Sequence, residues 1–247
     1  MSEFNGFNPQ VIDFLSEIKQ HNNKAWFDAH YDFYAREVLE KSRDLVEDLG
    51  KALLEVAPGL NVVPKVNGSI YRFARDTRFS KDKTPYKCHL SYLFWQGHLK
   101  RTRCPGFYLA ISPEFIRMGT GINHFSPEYL QAWRLCCSEQ SGSKVDTPEA
   151  FNAERIRRII DALLRQGVYI DGEQLKRMPR GFADNELNQD LIRYKGLRVW
   201  YQQPLTDLLF SKDLIPYCMQ YYKQLLSLFE WMVEVMSEFR IEADQPY

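Results

Sequence analysis

The apolar positions divide the chain into a helical opening, a strand-rich centre and a helical close. Val11, Phe14, Leu15 and Ile18 recur at helical spacing behind Asn8-Pro9, which read as N-cap and first helical residue; His21-Asn22-Asn23 ends the run. From Lys24 to about Val56, Trp26, Phe27, Tyr31, Tyr34, Val38, Leu45, Leu49 and Leu53 keep a helical period until Pro58-Gly59, which predicts one long helix or two short ones. The pattern then shifts to alternation. Ser69 to Arg75, Tyr86 to Trp95, Phe107 to Ile111 and Phe115 to Met118 are expected strands, with a turn at Ser112-Pro113-Glu114 and an end to the last strand at Gly119-Thr120-Gly121.

Ser126-Pro127-Glu128 is a strong N-cap signal for a helix to about Ser138. Residues 139–146 are expected to be a surface loop, followed by a second cap at Thr147-Pro148-Glu149 and a helix carrying Ile156, Ile159, Ile160, Leu163 and Leu164, stopped at Gly167. A short strand at Val168 to Ile170, an irregular run from Leu175 to Phe182, a helix from Asp184 to Lys195 closed by Gly196 and a strand from Leu197 to Tyr201 come next. Leu214 to Phe239 places Tyr222, Leu225, Leu226, Phe229, Met232, Val233 and Met236 on one face of a long final helix. These elements predict a single α+β domain over 1–247, a central, largely antiparallel sheet flanked by helices with a long C-terminal helix.

Composition narrows the class. With 45% hydrophobic residues and 32 Lys plus Arg against 32 Asp plus Glu, the chain reads as globular, and global charge gives no reason to expect a histone-like or polybasic protein. MSEFNGFNPQ carries no secretory pattern and no stretch reaches the roughly 18 apolar residues of a membrane span, so a cytoplasmic protein with no membrane partner is expected. Cys88, Cys104, Cys136, Cys137 and Cys218 show no C-x-x-C spacing and are expected to be reduced and mostly buried.

Charge is unevenly placed. Residues 72–103 hold nine Lys or Arg against two Asp, whereas 28–56 hold four basic residues against eight acidic. The centre of the positive segment is Arg72 to Lys87, R-F-A-R-D-T-R-F-S-K-D-K-T-P-Y-K. On a strand, Arg72 would lie opposite Tyr71, Phe73 and Arg75; the following D-T-R-F-S-K-D-K has no apolar run and must be loop. Guanidinium forks and ammonium charges together suit a phosphate better than an apolar ligand.

The string RDTRFSKDKTPYK, with NNKAWF (Asn22 to Phe27), PGFYLAISP (Pro105 to Pro113), LKRMPRGF (Leu175 to Phe182) and LIRYKG (Leu191 to Gly196), resembles the successive blocks of the family catalogued as domain of unknown function 2461. The blocks run from about residue 4 to about 200, with the last helix a C-terminal extension over about 204–240. Met118-Gly119-Thr120-Gly121 departs from the family's Gly-Gly-Gly-like turn. The resemblance implies positions and no reaction. Its recurrent polar residues fall on Arg72, Arg75, Asp76, Arg78, Ser80, Lys81, Asp82, Lys83, Tyr86 and Lys87, with Lys176, Arg177, Arg180 and Lys195.

Asp76 and Asp82 sit among cations that lower carboxyl pKa values, which makes them ion-pair partners and poor general acids. The histidines match no metal template, and G-x-S-x-G, P-loop, G-x-G-x-x-G and H-E-x-x-H are all missing from the sequence, so no metal and no particular cofactor is expected. The reading that follows is an anionic small molecule held by Arg72, Arg75, Arg78, Lys81, Lys83 and Lys87. Asp76 and Asp82 orient the arginines, Tyr86 lies beside them, and Lys176, Arg177 and Arg180 join the same pocket. The alternatives are a nucleic-acid-binding module using the same cations with the 96–105 loop, and a scaffold whose Arg72–Lys87 charges pair with the acidic helices. Whether the protein is an enzyme, and its oligomeric state, are left open by the sequence.

Overall fold

In the computed structural model, which describes residues 3–138, 153–182 and 187–241, the helix signals at the start of the chain are realised closely. Helix α1 spans Gln10–Gln20, and the Asn8 side chain accepts from the Gln10 amide at 3.0 Å. Asn23 caps α2 (Lys24–Ala29) by accepting from the Trp26 amide at 3.0 Å. The long helical run is then broken at His30, after which a single turn, α3 (Tyr31–Phe33), leads into a π-helix (Tyr34–Glu40) and α4 (Lys41–Val56). Further on lie α5 (Pro127–Cys137), capped by the Ser126 hydroxyl, then α6 (Ala153–Arg165), the short α7 (Gln189–Ile192) and the long α8 (Leu214–Glu238).

The strands are β1 (Leu90–Trp95), β2 (Gly106–Ile111), β3 (Phe115–Ile122), β4 (Tyr169–Asp171) and β5 (Leu197–Pro204). They form one antiparallel sheet in the order β1-β2-β3-β5-β4, so the α+β class is as expected. Three local expectations are corrected. The stretch Ser69 to Arg75 is no strand: it meets the chain ahead of and within β1 only at the isolated bridges Ile70 to Tyr92 and Ala74 to Tyr86. Four residues separate the bridges on one side and six on the other, so two extra residues around Cys88-His89 bulge out and the ladder closes up only from Leu90.

Gly119 and Gly121 do not end β3, which runs on to Ile122. Gly121 has φ +152°, and a Cβ there would stand 2.2 Å from the Leu197 carbonyl oxygen, so glycine is what lets β3 and β5 pass this closely. The helix expected up to Lys195 stops at Ile192, because Tyr194 is claimed by a bridge to Gln174 and the Lys195 amide by the Glu173 carbonyl at 2.7 Å. The loop expected at 139–146, the cap at 147–149 and the start of the helix at 184 lie outside the described residues.

The chain divides into two compact units, 1–94 with 108–118 and 202–221, and 95–107 with 119–201 and 222–247. In the first, α1 and α4 bury Val11, Leu15, Ile18, Leu45, Val46, Leu49 and Leu53. Phe14, Phe27, Tyr34, Phe73 and Tyr86 make an aromatic cluster with ring centroids 4.3 to 6.3 Å apart. The second is built around Trp133, Trp231, Tyr129 and Phe125, with the Tyr129 hydroxyl donating to the Met232 carbonyl at 3.0 Å. No helix among the described residues is long and apolar enough to cross a membrane.

Candidate functional site

The first basic block belongs wholly to the first unit and forms a loop with a clamped stem. At the stem, Asn22, in the turn between α1 and α2, donates from Nδ2 to the Tyr86 carbonyl at 2.9 Å and accepts at Oδ1 from the Tyr86 amide at 2.9 Å. Phe27 stacks on the Tyr86 ring with centroids 4.3 Å apart, and buried Phe73 lies 5.8 Å from Phe27. The Arg75 amide donates to the Pro85 carbonyl, and the Lys87 amide to that of Phe73. Thus the two early blocks, NNKAWF and RDTRFSKDKTPYK, meet in one structural unit.

Beyond the stem the loop is stapled by its own charges. Arg75 Nη1 donates to Asp82 Oδ2 and to both the hydroxyl and the carbonyl of Thr84, while the other Asp82 oxygen accepts from the Thr84 amide at 3.0 Å and hydroxyl at 2.8 Å. Arg78 forks onto Asp76 at 3.0 and 2.8 Å, with Arg72 3.6 Å from the same carboxylate. Lys83 Nζ donates to the Thr77 carbonyl at 2.8 Å. Arg72, Arg75 and Arg78 therefore take their carboxylate partners from within the loop, not from the acidic helices as the scaffold reading expected. Lys87 lies over the Tyr71 ring, 4.9 Å from its centroid, and Lys81 is exposed with no ion-pair partner among the described residues.

The carboxylates respond as the sequence implied. The two hydrogen bonds from the Arg78 guanidinium, then its amide, hold Asp76 well below the ordinary carboxylate range. Asp82 is brought down to about 2, first by the Thr84 amide, next by its hydroxyl and then by Arg75. A depressed value means the charged carboxylate holds the loop above the free-aspartate range near pH 4 and is lost as pH falls through about 2. Carbon-detected NMR titration of Asp82 is expected to show a midpoint about 2 units below free aspartate; a midpoint near 4 would mean that the staple does not form.

Behind the loop, a narrow cleft of about 10 Å³, room for one water, is lined by Tyr34, Ser42, Tyr71, Phe73, His89 and Tyr92. The π-helix contributes Tyr34 to it, the kind of helical irregularity often found at functional sites. Burial, then the charges of Lys87 and Arg117, lowers the His89 pKa and keeps the ring neutral; the Ser42 and Tyr92 hydroxyls bond at 2.8 Å. Also in the first unit, a depression of about 490 Å³ is lined by Glu3, Asp48, Asp213, Lys51 and Lys212, a set of mixed sign with no cationic excess.

The family model described as "Conserved hypothetical protein (DUF2461)" matches residues 10–231 of the 247. The chain belongs to this family. The match takes in the clamped loop, the sheet and most of α8 of this DUF2461 chain. No curated protein matches it.

The second basic block of the DUF2461 chain lies in the second unit. Its frame is the Gln174 to Tyr194 bridge and the Leu175 amide bonded to the Arg193 carbonyl at 2.9 Å. Lys176, Arg177 and Arg180 are exposed and without an ion-pair partner among the described residues, while Lys195 pairs with Glu173. The 96–105 segment is less open than a solvated tip: Leu99 and Cys104 are buried, and only Lys100 of its three cations is exposed. Among the described residues no group of His, Cys, Asp and Glu could hold a metal.

Sequence reasoning missed Asn22, Thr84 and His89. Asn22 had a signal, since two successive asparagines precede α2 and only Asn23 is needed for the cap. Thr84 and His89 had none, because their roles depend on a turn and a bulge that no residue pattern marks.

Proposed function

We propose that the loop Arg72–Lys87 is an anion-binding surface and that the protein uses it to hold a phosphate-bearing or other anionic ligand. One observation carries the reading: both carboxylates of the loop are occupied in fixing Arg72, Arg75 and Arg78, so these guanidinium groups are presented in a set geometry within a segment of six Lys or Arg and two Asp. Arg72, Arg75, Arg78, Lys81, Lys83 and Lys87 contact the anion, Asp76 and Asp82 orient the arginines, and Tyr86 anchors the stem. Lys176, Arg177 and Arg180 are proposed as a second set for the same class of ligand, tested as a separate variant. The five free thiols, four of them buried, favour a reducing compartment, the cytoplasm.

The internal pairs favour a second reading, a scaffold whose charges serve only the loop. Magnitude decides against it. The Arg78–Asp76 and Arg75–Asp82 pairs are solvent-exposed, and such pairs are worth about 0–1 kcal/mol each. Holding the stem falls to Asn22 and the aromatic cluster, so the cationic excess has no stabilising purpose.

The test is thermal shift with pyrophosphate and inorganic polyphosphate on the native chain, the Lys81→Ala/Lys83→Ala double variant and the Lys176→Ala/Arg177→Ala/Arg180→Ala triple variant. Ligand at about 100 times Kd adds about 2.7 kcal/mol to the native stability. The double variant is expected to need about tenfold more ligand for the same shift, which corresponds to about 1.4 kcal/mol of lost contact. Equal shifts in native and double variant would show that the loop is not the site.

A further inference from the structure

Phe79 is the feature of the loop that anion binding leaves unexplained. It is 95% exposed, the most exposed of the large apolar side chains described, and it sits at the turn between Arg78 and Ser80-Lys81. A lone exposed aromatic ring is ordinarily unremarkable, but this one is placed by a fixed frame. Arg78 is held in its fork by Asp76, and its guanidinium carbon lies 5.8 Å from the Phe79 ring centroid. The Ser80 amide closes the turn onto the Thr77 carbonyl, which also receives Lys83. The ring is thus presented outward, with Arg78 beside it and Lys81 and Lys83 two and four residues further along the same loop.

Resting on the anion-binding reading above, we propose that the ligand is single-stranded nucleic acid: a base stacks on Phe79 while neighbouring phosphates are met by Arg78, Lys81 and Lys83. An exposed aromatic face beside a cationic track is the chemistry by which single strands are bound without sequence readout, since every base has a π-face and every linkage a charge. A bare polyphosphate would leave the ring unused.

The experiment is fluorescence anisotropy with a labelled twelve-residue oligothymidylate, an abasic strand of the same length, and inorganic polyphosphate as competitor, on the native chain and on Phe79→Ala and Phe79→Trp. Phe79 is not part of any core, so both variants keep the fold. The native chain is expected to bind oligothymidylate about tenfold more tightly than the abasic strand, Phe79→Ala to lose that margin, and Phe79→Trp to restore it, with competition by polyphosphate unchanged throughout. Lys81→Ala is expected to reduce the salt slope by about 0.7 without removing the base-dependent margin. Equal binding of the two strands, insensitive to Phe79, overturns the proposal and leaves anion binding standing. Failure of polyphosphate and both strands to bind overturns both. Binding to vesicles of mixed phosphatidylserine and phosphatidylcholine that depends on Phe79, without oligonucleotide binding, overturns it in favour of a membrane surface.

Discussion

Asn22→Ala is expected to lower the unfolding free energy by about 2–3 kcal/mol and to weaken anion binding at the loop at least as much as removing Lys81 and Lys83 together. The side chain makes two 2.9 Å hydrogen bonds to one residue, taking the Tyr86 carbonyl and amide in opposite senses, in a half-buried site between the α1–α2 turn and the loop stem. Alanine removes both and leaves an amide and a carbonyl short of partners, and a half-buried group so orphaned costs about 1–3 kcal/mol. The functional loss follows from the same bonds. The exposed ion pairs fix the arginine side chains but contribute only about 0–1 kcal/mol each, so the shape of the loop depends also on where the stem is pinned. Urea unfolding measures the first effect and pyrophosphate titration well below the melting temperature the second. A variant that is destabilised yet binds as the native chain does would show that the charges, not the latch, set the loop. Asn22→Asp separates the two bonds, since it keeps the acceptor for the Tyr86 amide and sets a second acceptor against its carbonyl.

The parts of this protein that were legible in the sequence are those specified by one residue type in one place. The caps at Asn8 and Ser126, the turn at Ser112 and the apolar face of α8 each came from a local rule, and each stands within a residue or two of its expected position. The failures share a physical form. Alternation from Ser69 to Arg75 was real, since Arg72 and Ala74 are exposed and Phe73 is buried between them, but pairing also needs a partner in register. The bulge at Cys88-His89 lies on the other strand. Gly119 and Gly121 read as a stop because glycine weakens strands in general; here the close passage of β5 outweighs that, and nothing near residue 120 announces residue 197. The widening from Tyr34 to Glu40 into a π-helix leaves the apolar spacing intact and is invisible to it. For the site, the cations and the carboxylates that hold them were readable as types, while Thr84 and Asn22, which set their geometry, bond to groups 2 and 64 residues away whose approach no local pattern marks.

The second large effect is expected at Trp133, where alanine should cost about 3–5 kcal/mol. Its ring is fully buried on α5, meets Trp231 of α8 edge-on at 5.5 Å and Phe125 at 5.0 Å, and its Nε1 donates to the Leu191 carbonyl at 2.8 Å. Two contributions are combined there, a large volume of packed apolar surface and one buried hydrogen bond. Trp133→Phe separates them, because it keeps much of the ring and removes the donor; the Leu191 carbonyl keeps the Tyr194 amide at 3.1 Å, so the lost hydrogen bond should account for about 0.5–1.5 kcal/mol of the whole. The consequence extends past stability. Leu191 leads directly into Arg193 and Tyr194, whose backbone bonds to Leu175 and Gln174 frame the second basic block. Amide hydrogen exchange in 174–182 and 187–195 is therefore expected to speed up in Trp133→Phe under conditions where the variant remains folded, while exchange in 72–87 is unchanged. If both segments keep native protection, the Tyr194 amide alone holds the Leu191 carbonyl in place, and Trp133 matters to this unit only as packed volume.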